Sequence, residues 1–190
     1  MPRQPKKEPE YLTEQETEAF FRVIRSPRDK AVFRIMYHHG LRASEISKLM
    51  LSDYRPGPLR SRLYIRRLKG STTREHTLVD VAAAAVKTWL RIRGTKPGPL
   101  FLSRNHRAIG RCRIWELMRR YSILAGIPVG KAHPHALKHT CVTHLVRIFH
   151  GDVLAIADHV GHADIQSTMR YIRAIDRETR ADLLADWGKR

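Results

Sequence analysis

GHADIQSTMRY, residues 161–171, is the stretch on which the reading of this chain turns. It places Tyr171 nine residues after the pair Gly161-His162. A phenol with its ordinary pKa of about 10 is a poor nucleophile at neutral pH. A tyrosine used for attack therefore needs cations and imidazoles brought to it from elsewhere in the chain. Two upstream stretches supply them: HPHALKHT at 133–140 and GLRASEI at 40–46.

Composition narrows the partner. Among 190 residues, 36 are basic and 18 acidic, a net charge of +18, and arginine outnumbers lysine 26 to 10. Guanidinium forks favour phosphate contacts, and the charge is spread through the chain instead of sitting in a tail, so nucleic acid is the leading partner. An anionic membrane ranks second, yet no basic amphipathic helix stands out as an anchor. The longest apolar run, Val81 to Val86, is too short to span a bilayer. The start, MPRQPKKEPE, lacks the apolar core of a secretory signal. Two cysteines, Cys112 and Cys141, have no zinc-type spacing and fall in helical apolar patterns, which makes both small core residues. A soluble, cytoplasmic protein is expected.

Residues 1–11 read as a flexible basic leader, followed by one domain over 12–190. Thr13-Glu14-Gln15-Glu16 is a capping box opening a helix to about Arg25. Ser26-Pro27 starts a second helix that Gly40 stops, and a short third begins near Ala43. Leu51 to Tyr54, Arg62 to Leu68 and His76 to Val79 are short, partly alternating segments split by Pro and Gly, the pattern of a small antiparallel sheet. Asp80 caps a helix through about Arg93. Helical periodicity then recurs near 111–125, 134–149, 152–159, 164–172 and 176–187. In the fourth of these, Asp164 is the cap and Ile165, Met169 and Ile172 the core face. The fold class is mainly α with a small three-stranded antiparallel β-sheet.

Four motifs in this order resemble the catalytic domain of the tyrosine recombinases, the phage integrase family: GLRASEI at 40–46, RLKGSTTREHTL at 67–78, HALKH at 135–139 and GHxxxxxTxxY at 161–171. The likeness runs from residue 12 to about 187 and is strongest to the short fimbrial-type members without a separate core-binding domain. It implies the tyrosine recombinase catalytic-domain fold. It also implies a site-specific recombinase that cleaves and rejoins double-stranded DNA at a specific recombination site through a 3′-phosphotyrosyl intermediate. No cofactor is implied, neither ATP nor metal, and the working assembly would be a tetramer on synapsed DNA, monomeric or dimeric when free.

Carried over by position, Arg42 binds the scissile phosphate, with the amides at its helix start adding to the anion site, and Glu45 buttresses it. Lys69, at the hairpin tip, is the general acid to the 5′-oxygen, with Arg66 and Arg67 as neighbours should the register slip. His135 hydrogen-bonds the phosphate or acts as base, and His139 is a structural support. His162 packs against or bonds the phosphate site, and Tyr171 is the nucleophile. Six side chains (Arg42, Lys69, His135, Lys138, His162 and Tyr171) are thus expected to converge on one phosphorus, with the phenolic oxygen aimed at it. In the family a C-terminal helix docks on a neighbouring protomer; here 176–187 could equally pack on its own domain.

One position departs from the family pattern: Lys138 stands where the motif carries its second arginine. Lysine keeps the charge and loses the planar fork. A lost charge-assisted contact in the transition state costs about 2–4 kcal/mol, or 10²–10³-fold in rate. This leaves two alternatives: a DNA-binding regulator on a recombinase fold, and a type IB topoisomerase-like relaxing enzyme. Zinc on His133, His135, His139 and His144 is disfavoured, since no acidic partner or HExxH pattern accompanies them.

Overall fold

A computed structural model of the chain describes residues 10–66, 74–148 and 152–175. The expected Lys69, Arg67, residues 1–9 of the leader and the 176–187 segment lie outside these.

Local chemistry sets most helix starts. In α1 (Glu14–Val23) Thr13 Oγ1 accepts from Glu16 N–H at 3.2 Å while Glu16 Oε2 accepts from Thr13 N–H at 2.7 Å, closing the capping box. Ser26 Oγ accepts from Asp29 N–H at 3.3 Å to start α2 (Pro27–His39), with proline at its first position. Gly40 ends α2 in the left-handed region, φ 60°, and α3 (Ala43–Ile46) follows with Arg42 as its N-cap. The remaining helices are α4 (Asp80–Arg93), α5 (Arg111–Leu124), α6 (Pro134–Ile148), α7 (Val153–Val160) and α8 (166–175). Among the described residues, none is long and apolar enough to cross a membrane.

The sheet is antiparallel, ordered β1 (Tyr54–Arg55), β2 (Arg62–Ile65), β3 (Arg74–Thr77), with Leu63 opposite both Tyr54 and His76. Leu51–Asp53, expected as strand, is a 3₁₀ turn, because Asp53 Oδ2 captures Met50 N–H at 2.8 Å. Val79, not Asp80, is the N-cap of α4.

Among the described residues, two apolar clusters hold the fold. The larger centres on Phe20, Phe33 and Ile35 with edge-on Tyr121, whose hydroxyl donates to buried Asp29 at 2.8 Å. Each fully buried aromatic or branched side chain there contributes roughly 1.5–3 kcal/mol. The smaller joins α6, α7 and α8 through Cys141, Val142, Val146, Ile156, Val160 and Tyr171. Cys112 contradicts its expected core placement: it is exposed on α5, while Cys141 is buried. The inward face of α8 is Thr168 and Tyr171, whereas Ile165 is 39% exposed. Of the expected face, Ile172 packs against the smaller cluster and Met169 is half-buried, so docking against α6 and α7 turned α8 only far enough to expose Ile165 and bury Thr168.

Candidate active site

Arg42 is held from both ends of its own residue. Glu45, buried to 1% exposure, takes the Arg42 N–H on Oε2 at 2.8 Å and Nη1 on Oε1 at 3.2 Å. The carboxylate thereby occupies that helix-start amide, and the guanidinium, 34% exposed, is the part offered outward. It opens on a cavity of about 510 Å³ that also takes in His135, Lys138, Arg111, Arg119 and Trp115. Arg42 and His135 therefore face the same space. A second cavity of about 600 Å³ between α1, α2 and α6 mixes Glu14 and Glu18 with Arg22, Arg34 and Arg147, and takes in none of the six expected residues.

Lys138 is 5% exposed, and its Nζ donates to the Val160 carbonyl at 2.8 Å. That carbonyl terminates α7, where a cation is favoured by the helix dipole. One side chain thus borders the Arg42 cavity and ties α6 to the turn carrying Gly161 and His162. The turn approaches closely: a Cβ on Gly40 would lie 2.9 Å from Val160 Cβ and Cγ1.

His162 Nδ1 is 2.8 Å from Thr168 Oγ1, and its ring stacks on Tyr171 with centroids 6.5 Å apart and planes 20° off parallel. Tyr171 is 4% exposed, and its hydroxyl is hydrogen-bonded to His139 Nδ1. Burial pushes the phenol up to about 12, against a small opposing pull from Arg170. Burial, with His135 and His133 adding, pushes His139 down to about 4. Both groups are neutral at pH 7 and in hydrogen-bond contact; in the Nε2–H tautomer the phenol donates to Nδ1, and from there the ring can accept the phenolic proton. Partial burial, then His133, Arg42 and Lys138, also lowers His135.

Of the six expected residues, Arg42, His135 and Lys138 share the cavity. His162 and Tyr171 form an adjoining cluster bridged to it by α6, and Lys69 lies outside the described residues. The phenolic oxygen is turned onto His139 within the smaller core, and Tyr171 does not line the cavity. Arg66, the fallback for Lys69, is engaged at 2.6 Å with Asp53. Three of the four histidines weighed for zinc have other partners. His133 Nδ1 accepts from Ala136 N–H, His144 Nδ1 meets Tyr37 Oη at 2.8 Å, and His139 meets Tyr171.

Sequence reading underrated two features. His139 sits one turn from His135, a visible signal, yet only the fold brings Tyr171 to it. Arg111, Arg119 and half-exposed Trp115 line the cavity from α5 and could be picked from 26 arginines only once α3 and α5 were seen to pack together.

The phage integrase family model matches residues 10–178. The chain belongs to that family. It is 31% identical to the type 1 fimbriae regulatory protein FimB of Escherichia coli K12 over 170 residues, 85% of this chain and 82% of FimB. It is 30% identical to tyrosine recombinase XerC of Alcanivorax borkumensis over 149 residues, 76% of this chain and 47% of that protein. The chain thus spans about half the length of that XerC relative. Among solved structures, XerA recombinase superposes with a TM-score of 0.77 at 26% identity, covering 93% of this chain and 66% of XerA. XerH site-specific recombinase, in a post-cleavage complex with its palindromic difH substrate, gives 0.81 at 23% identity, covering 96% and 54%. The helical fold with its small three-stranded sheet is that of the tyrosine recombinase catalytic domain.

Proposed function

We propose that this chain cleaves and rejoins double-stranded DNA at a specific site, as a site-specific tyrosine recombinase. The supporting observation is the Arg42–His135–Lys138 cavity adjoining a phenol already hydrogen-bonded to an imidazole. Tyr171 Oη attacks phosphorus, the P–O5′ bond breaks, and a 3′-phosphotyrosyl link forms. The phenolic proton passes to imidazole, with His139 the one in contact. The leaving 5′-oxygen receives a proton from Lys69. Arg42, His135, His162 and Lys138 oppose the negative charge that develops on the non-bridging oxygens. A 5′-hydroxyl from another duplex then reverses the step. The phosphotyrosyl bond keeps the energy of the one broken, so ATP has no part in the scheme.

In this reading the free chain is latent. Its phenol is protonated and covered, so α8 must shift toward the cavity when DNA binds. The smaller cluster that holds α8 has few buried residues, which favours such local opening. The working unit is a tetramer on two synapsed sites, acting in the cytoplasm on DNA. XerH and the Tn1549 transposon integrase are relatives of this fold whose structures contain DNA.

The test is a nicked suicide duplex carrying the recombination site. Wild-type chain should give a covalent adduct, and Tyr171→Phe should bind the duplex within about twofold while giving none. An undiminished adduct in Tyr171→Phe refutes the assignment. Site-specific binding without any wild-type adduct returns the regulator reading.

A further inference from the structure

Three histidines outside the candidate active site meet where α2, β3 and α7 come together. His39 ends α2, His76 lies in β3 and His159 is next to last in α7. Each can present one ring nitrogen such that all three lie within 4.8 Å of one another, the only such group of possible metal ligands among the described residues. Ring centroids are 5.4 Å apart for His39–His159, 5.7 Å for His76–His159 and 5.9 Å for His39–His76. His39 is fully buried and His76 is 8% exposed.

We propose that His39, His76 and His159 form a structural site for a zinc-class divalent transition metal. The donor chemistry selects this class. Three imidazoles and no carboxylate suit zinc, cobalt, nickel or copper, and not magnesium or calcium. His159 adds a second, independent feature. Its Nε2 lies 2.8 Å from the His38 carbonyl oxygen, which can only accept, so Nε2 carries the proton and Nδ1 carries the lone pair. A backbone carbonyl that fixes the ring's tautomer in this way is the usual outer support of a metal-binding histidine, and the proposed site requires Nδ1 to be the nitrogen that faces the ion. Tetrahedral zinc with Zn–N of about 2.0–2.1 Å sets the nitrogens roughly 3.4 Å apart. The rings therefore close inward by about 1 Å, a side-chain rotation, and water completes the fourth position.

The placement gives the metal a purpose. It staples the β2–β3 hairpin, whose connection contains Lys69, to the end of α2 just before Arg42 and to α7 just before His162. Three segments that carry candidate active-site residues would be locked in register by one ion. The ion itself touches neither the phosphate nor the phenol, so the proposal does not depend on the strand-cleavage scheme.

The experiment uses the untagged full chain, stripped with chelator and passed through gel filtration, then titrated with Zn²⁺ alone. One bound ion per chain is expected, with a rise in Tm of roughly 5–10 °C at a hundredfold excess over Kd. Co²⁺ in its place should give the visible d–d bands of a nitrogen-ligated, low-symmetry site. His76→Gln and His159→Gln should each weaken zinc at least tenfold and abolish the cobalt bands, while exposed His106→Gln should change neither. The idea fails if wild-type chain takes up no stoichiometric metal, or if uptake survives in both glutamine variants. It also fails if uptake is lost on His133→Gln, which would move the metal to the start of α6. The wild-type cobalt spectrum decides even if a glutamine variant does not fold, since absence of imidazole-ligated bands overturns the site without any mutant.

Discussion

Replacing Gly40 by alanine probes the junction on which the site is assembled. Gly40 sits at φ 60°, and an added Cβ would lie 2.9 Å from two Val160 side-chain carbons and 3.3 Å from Val160 Cα. Two costs add. The left-handed backbone costs a non-glycine residue roughly 1–2 kcal/mol. Forcing a methyl into packed atoms costs roughly 1–3 kcal/mol more. The sum, about 2–5 kcal/mol, corresponds to a fall in Tm of roughly 4–20 °C for a chain of this size. Gly126 is the matched control, since its φ is 70° and nothing lies within 4 Å of its added Cβ. Gly126→Ala should show only the backbone cost. Thermal unfolding by circular dichroism, followed by urea titration to convert midpoints into free energies, measures both. Gly40→Ala should also cut adduct formation, because moving Val160 loosens the 2.8 Å bond from Lys138. Equal destabilisation by the two alanines would refute the close-approach argument, and a stable Gly40→Ala with full activity would refute its link to the site.

Lys138→Met keeps the length and removes the charge; adduct formation on the suicide duplex should fall about 10²–10³-fold, and an unchanged rate would show that the ammonium has no part in cleavage. Glu45→Gln should leave Arg42 poorly aimed and lower the single-turnover cleavage rate about tenfold, with roughly 1 kcal/mol or less lost in stability because the guanidinium is partly exposed. The pH dependence of stability has two limbs. His139 is pushed below its ordinary 6.5 to about 4, so its contribution is complete above pH 6.5 and is lost as pH falls toward 4. Tyr171 is pushed above its ordinary 10 to about 12, so its contribution is complete below pH 10 and is lost as pH rises toward 12. Urea unfolding across pH should show the acid limb reduced in His139→Gln and the alkaline limb reduced in Tyr171→Phe; His38, also lowered to about 4, leaves a residual acid limb, and Tyr37 and Tyr121, also raised to about 12, leave a residual alkaline one.

The sequence alone determined the starts of α1 and α2, the existence of the sheet and the order of the motifs. These depend on short-range chemistry: Thr13 with Glu16, Ser26 with Asp29, a proline opening α6, and helical spacing that repeats every three or four residues. Arg42 with Glu45 was legible for the same reason, three residues apart on one turn. Tertiary structure alone decided which way α8 faces, that Tyr171 lies covered against His139, that Cys112 points outward, and that Lys138 reaches Val160. It alone collected His39, His76 and His159, which stand up to 120 positions apart. No periodicity links residues so distant. Their meeting follows from how buried faces of whole helices fit one another, a competition among many packings that no local window contains.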